Sequence, residues 1–161
     1  MVLMNFLRLY CQKYNGDVMV EYKDMVIKIV GERLSPTKMK AKAGDFEIVM
    51  DKLGGEAPSP IDYVLAALAG CINIVGTLVA KDMGINIEDL SVEVEGVFNP
   101  GKLYGQGTQR AGYKEIRVKI KVKTDADEET LKKWVEQVEE RCPVSDNLAN
   151  PTPTKVEFEK C

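Results

Sequence analysis

The chain has 161 residues, 45% of them hydrophobic, which is enough for one domain with a real core and too few for two ordinary ones. Its formal net charge of -3, from 22 Lys+Arg against 25 Asp+Glu, provides no basic field to hold a phosphate backbone, so no nucleic-acid partner is expected. With no histidine, there is no imidazole base for Cys-His or Ser-His-Asp catalysis, which argues against hydrolases.

Residues 1 to 15 are an extension whose Leu3, Phe6, Leu7 and Tyr10 would share one face of a short amphipathic helix, with Gly16 after its end. The segment lacks a basic start and a small-residue cleavage site, so the default expectation is a cytoplasmic protein without a secretory signal. From Val18 to Asp51 the texture becomes that of strands: VMVEYK, MVIKIVG, then TKMKAKA and FEIVMD joined through Gly44-Asp45, a hairpin signal. An antiparallel sheet is expected to open the domain.

The stretch GGEAPSP breaks the sheet and leads into a helix. Ser59 can cap it, Pro60 suits the first helical position, and Asp62 stands three residues after Ser59, where a capping-box acid belongs. The helix is predicted from Pro60 to Met83, with Gly84 as its stop. Between Val64 and Ala80 almost every residue is apolar or small, so burial on all sides is expected. A bilayer span needs roughly 20 such residues, but Asn73 interrupts this run, a capping motif opens it, and no membrane association is expected.

Two alternating strands follow. Leu90, Val92 and Val94 alternate with Ser91, Glu93 and Glu95, while Ile116, Val118, Ile120 and Val122 alternate with Arg117, Lys119, Lys121 and Lys123. If they pair, acidic and basic rows face each other across the sheet. The Gly-rich NPGKLYGQGTQRAG between them reads as a mobile loop. After TDADEET, a second helix carries Leu131, Trp134, Val135, Val138 and Cys142 on one face, and Pro143 ends it. Val156 and Phe158, alternating with Glu157 and Glu159, predict a closing strand.

Of the four cysteines, Cys11, Cys71, Cys142 and Cys161, no two form a CxxC pair, so neither a metal site nor a cofactor is expected. Cys71 and Cys142 both fall on core-facing helical positions, where a free cysteine is ordinarily a small hydrophobe. The surrounding motifs point elsewhere. GGEAPSPIDYVLAALAGC resembles the first signature of the OsmC/Ohr family, a Gly-rich, Pro-containing loop opening a helix that leads to a reactive cysteine. ERCPVSDNL resembles the second, a helix ending at another cysteine followed by Pro and a short polar loop. The resemblance covers residues 25 to 160.

The fold it implies is α+β, with antiparallel sheets wrapped around a buried central helix in an intertwined homodimer; Ala66, Ala67, Ala69, Gly70 and Gly76 would allow close helix approach. The implied activity is a peroxidase. Cys71 attacks an organic hydroperoxide and becomes a sulfenic acid, Cys142 condenses with it, and an external dithiol, of the lipoyl type, resets the disulfide.

Cys71 lies too far into its helix for the N-terminal dipole to stabilise a thiolate, so a cation is expected beside it. In the family an arginine serves, held by a glutamate ten residues before the reactive cysteine; here that position is Ile61. Asp62 is either its substitute or simply the capping acid. Arg33 precedes the hairpin roughly where the family places its arginine, and Arg110 is the alternative. The substitution at Ile61 keeps open a small-molecule-binding or thiol-carrying dimer of the same fold, and a redox sensor, whose disulfide would change a partner surface, is a third class.

Overall fold

Strand β1 (Cys11–Tyr14) pairs antiparallel with β2 (Asp17–Val20), in the register Cys11 to Val20 and Tyr14 to Asp17. The computed structural model describes residues 11–14, 17–20 and 22–160, so Leu3, Phe6, Leu7 and Tyr10 of the expected helix lie outside it. Residues 11–14, however, are strand rather than helix. Asn15-Gly16 between the two strands is a strong hairpin signal that outweighs the weak helical periodicity.

The chain forms two compact units, Met1–Val49 and Met50–Cys161. The first holds β3 (Val30–Arg33), β4 (Met39–Ala43) and β5 (Phe46–Met50), joined in that order into a sheet. Gly44 takes a positive φ of 60° in the hairpin turn between β4 and β5, as the Gly44-Asp45 pair predicts. Residues 22–29, expected as strands, have no regular structure, and Val26 is 95% exposed. Alternation gives a strand one apolar face but does not supply a neighbour for its backbone.

The second unit is built on α1 (Pro60–Met83), whose predicted ends are the observed ones. Ser59 and Asp62 form a reciprocal capping box, and Gly84 closes the helix in the left-handed region at φ 70°. Burial on all sides does not occur within one chain. Leu68, Ile72, Val75, Val79 and Ala80 face the core, whereas Ile74 is 62% and Leu78 50% exposed, because one two-stranded sheet and one packed helix cover only one side of α1. The helix is long and apolar enough to cross a membrane, yet its capped ends and packed face are those of a soluble core helix.

Strands β6 (Ile87–Val97) and β7 (Glu115–Thr124) pair antiparallel, setting Glu93 opposite Lys119 and Glu95 opposite Arg117. Arg117 bonds both Glu95, at 3.3 Å, and Glu115, at 3.0 Å. These exposed pairs fix register more than they add stability, because solvent screens them. Residues 98–114 are tied at their ends: the Lys114 amide donates to Val97, and the Tyr113 hydroxyl donates to the Ile61 carbonyl at 2.8 Å. Gly96 is required there, since a Cβ at that position would fall 2.3 Å from the Tyr113 ring.

Helix α2 (Glu128–Arg141), capped by Asp127, packs Trp134 and Val138 against α1 and β6. The Trp134 indole donates to the Gly76 carbonyl at 2.9 Å inside the core. After Cys142 the expected polar loop is a short helix, α3 (Pro143–Ala149), because Cys142 caps it and Pro143 occupies its first position. The expected closing strand does not form in the single chain: residues 151–160 have no regular structure, and Phe158 is 96% exposed.

Candidate functional site

The capping box fixes where α1 starts, and so the rotation at which Cys71 faces the core. Helix α2 carries Cys142 to the same place, as the residue that ends α2 and caps α3. The two sulfurs lie 3.0 Å apart, at hydrogen-bonding distance, and both are free thiols. Cys71 is partly exposed, whereas Cys142 has 0% exposure. The Ser145 amide, in the first turn of α3, donates to Cys142 Sγ at 3.4 Å.

The two thiols titrate in opposite directions. Burial pushes the Cys71 thiol up, its hydrogen bond with Cys142 pushes the same way, and the Val144 amide opposes them weakly. Burial also works against a Cys142 thiolate, but its hydrogen bond with Cys71 and those from Ser145 and Val144 outweigh it and lower Cys142 from the ordinary thiol range. In the protonated pair either sulfur can donate to the other. Within this unit the influences on Cys71 are burial, Cys142 and an amide.

The other expected residues are placed differently. Asp62 accepts from the Ser59 amide at 2.8 Å and the Ser59 hydroxyl at 2.6 Å, and these bonds lower its carboxyl below the usual range. At 1.5 Å rise per residue it stands roughly 13 Å along the helix axis from Cys71. Arg33 belongs to the N-terminal unit, exposed on β3, with its Nε donating to the Ser35 carbonyl at 3.3 Å. Arg110 lines an open cleft of about 920 Å³ together with Ile61, Val64, Leu68, Tyr113 and Ser145. Leu68 and Ser145 bring that cleft beside the thiol pair, although neither cysteine is on its wall. Tyr113 and Ser145 were not among the expected site residues. Tyr113 gives no local signal, while the Cys-Pro-x-Ser run around Ser145 is a legible capping pattern. Among the described residues no cluster of His, Cys, Asp or Glu could hold a metal ion.

Residues 53–157 match the OsmC-like protein family. The chain belongs to that family. It is 30% identical over 139 residues to an uncharacterized protein of Methanocaldococcus jannaschii, an alignment covering 84% of this chain and spanning 64% of that relative's length. The OsmC-like protein of Mycoplasma pneumoniae has a similar structure, with TM-score 0.70 and 23% identity over 80% of this chain and 91% of that one. The organic hydroperoxide resistance protein OhrB of Bacillus subtilis superposes with TM-score 0.51 and 22% identity, covering 79% and 93%. These structures share the OsmC-like α+β fold that the two cysteine motifs imply.

Proposed function

We propose that this OsmC-like protein is a cytoplasmic, homodimeric thiol peroxidase that reduces organic hydroperoxides with Cys71 as the attacking and Cys142 as the resolving cysteine. The observation that carries this is the 3.0 Å approach of a partly exposed Cys71 to a fully buried Cys142. Cys71 can meet a peroxide from outside, and Cys142 is already within reach of the sulfenic acid that results. Sulfur attack breaks the O–O bond and gives a sulfenic acid and an alcohol; condensation with Cys142 then releases water and forms a disulfide. A dithiol of the lipoyl type returns both sulfurs to thiols by exchange. The apolar floor of the adjoining cleft, from Ile61, Val64 and Leu68, suits an organic hydroperoxide better than hydrogen peroxide, and Arg110 is its candidate cationic residue. Related structures carrying the name hydroperoxide resistance protein support the same reading.

The test is consumption of cumene hydroperoxide against hydrogen peroxide by the pure protein, followed by peptide mapping after one equivalent of oxidant. Preferential loss of the organic peroxide with a link between Cys71 and Cys142 is expected. Oxidised Cys71 beside a Cys142 that stays a free thiol would refute the two-cysteine mechanism. A thiol-carrying or small-molecule-binding dimer is the second reading, favoured by Ile61 at the glutamate position and by the engagement of Asp62 in its own helix cap. Absence of peroxide consumption selects it.

A further inference from the structure

Residues 98–114 connect β6 to β7, and one hydrogen bond ties them to α1, the helix that carries Cys71. The Tyr113 hydroxyl donates to the Ile61 carbonyl at 2.8 Å, between residues 52 positions apart. Among the described residues, the other hydrogen bonds of this segment stay within it or run to the end of β6, as from the Gln106 amide to Gly101 and from the Lys114 amide to Val97, both at 2.7 Å. The ring behind the hydroxyl is seated. Phe98 meets it edge-on at a centroid distance of 6.1 Å, and the missing Cβ of Gly96 leaves it room. A carbonyl in the first turn of a helix keeps a lone pair for such a donor after serving its own helix. Burial and the Asp62 carboxylate both push the Tyr113 hydroxyl up, so it remains a donor at neutral pH. Three residues before Tyr113 stands Arg110. Its guanidinium lies against the Gly112 backbone, where an added Cβ would be 3.3 Å from Nη2 and 3.7 Å from Nε. Arg110 lines the same cleft as Ile61, Val64 and Leu68. Of the acids on that wall, Glu115 is paired with Arg117 at 3.0 Å and Asp146 accepts from Asn150 at 2.8 Å.

We propose that Tyr113 is a positioning residue that sets the preference for organic hydroperoxides: its bond to Ile61 holds residues 98–114 against α1 and keeps the Arg110 guanidinium at the apolar floor of the cleft. The role rests on the peroxidase reading and deepens it. An organic hydroperoxide lies with its apolar body on Ile61, Val64 and Leu68, and Arg110 donates to its peroxide oxygens, which are acceptors without carrying charge. Hydrogen peroxide has no apolar body to rest on that floor, so it gains little from an ordered cleft wall. A cation that supports the Cys71 thiolate serves both peroxides alike. The tether therefore acts on discrimination between the two peroxides, and leaves the chemistry of the thiol pair as it is.

Tyr113→Phe removes the hydroxyl and keeps the ring against Phe98 and Gly96. The full chain is assayed with cumene hydroperoxide and with hydrogen peroxide, using dithiothreitol as the dithiol, and amide exchange is followed across residues 98–114. The variant should exchange faster in that segment, with α1 and α2 protected as before. Its kcat/KM for cumene hydroperoxide should fall about 3- to 10-fold through a higher KM, the range for loss of one hydrogen bond, while kcat and the hydrogen peroxide rate stay within about twofold. Equal losses on both peroxides, or none on either, overturn the proposal and leave the peroxidase reading intact. Arg110→Ala should lower the same kcat/KM, and adding Tyr113→Phe to it should change little more, because one residue acts through the other. Additive losses overturn the link between them. A wild type that consumes neither peroxide refutes the peroxidase reading and the selectivity role with it, whereas unchanged exchange in residues 98–114 refutes the tether alone.

Discussion

Gly76→Val tests how the two helices hold the thiols together. Gly76 is buried on α1, five residues beyond Cys71, and a Cβ there would stand 2.8 Å from Cζ2 of Trp134 and 3.8 Å from Leu90. Trp134 cannot retreat freely, because it is 1% exposed and its indole is tied to the Gly76 carbonyl at 2.9 Å. Alanine at this position gains about 0.8–1 kcal/mol of helix propensity. It loses about 1–3 kcal/mol to overpacking, so the net change for Gly76→Ala is about 0–2 kcal/mol destabilising. Valine adds two methyl groups against the same ring and recovers less propensity, which places Gly76→Val at about 2–4 kcal/mol. At 2–4 °C per kcal/mol for a chain of this size, the melting temperature should fall by roughly 4–16 °C. Because α2 leads directly into Cys142, moving α2 outward also separates the sulfurs, so the rate of disulfide formation should fall with stability. Guanidinium unfolding and timed thiol titration measure the two. Stability within about 0.5 kcal/mol of the wild type and an unchanged rate of disulfide formation would refute the packing argument, since surface substitutions already give changes of that size.

Gly70→Leu probes the opposite face, where an added Cβ meets nothing within 4 Å in the single chain. If two α1 helices pack together in a homodimer, sedimentation should show dissociation at micromolar concentration. If the dimer persists, α1 is not its interface. Asp62→Asn separates capping from catalysis. The depressed carboxyl of Asp62 contributes stability at neutral pH, and that contribution is lost as the pH falls through its folded-state value, below the ordinary 3.8. The Asn variant should therefore lack this acid-dependent loss while retaining much of the cap, its exposed site contributing at most about 1 kcal/mol. A fall in peroxidase rate at unchanged melting temperature would instead assign Asp62 a role in the reaction.

The sequence by itself determined the elements whose signals are local. Ser59, Pro60, Asp62 and Gly84 set both ends of α1, Gly44-Asp45 set a hairpin, and strict alternation set β6 and β7 with their facing charges. It also placed Cys71 and Cys142 on core-facing turns and, through the motifs around them, indicated the family. Tertiary structure decided what depends on a partner. The alternating residues 25–29 and 156–158 remain outside any sheet among the described residues, because a strand is completed by a neighbour that its own pattern cannot name. An all-apolar helix was legible, but which side it buries was not, since that is set by where one sheet and Trp134 arrive. The 3.0 Å contact of the two thiols was likewise beyond the sequence, because it depends on the end of α2 and the start of α3 meeting the middle of α1.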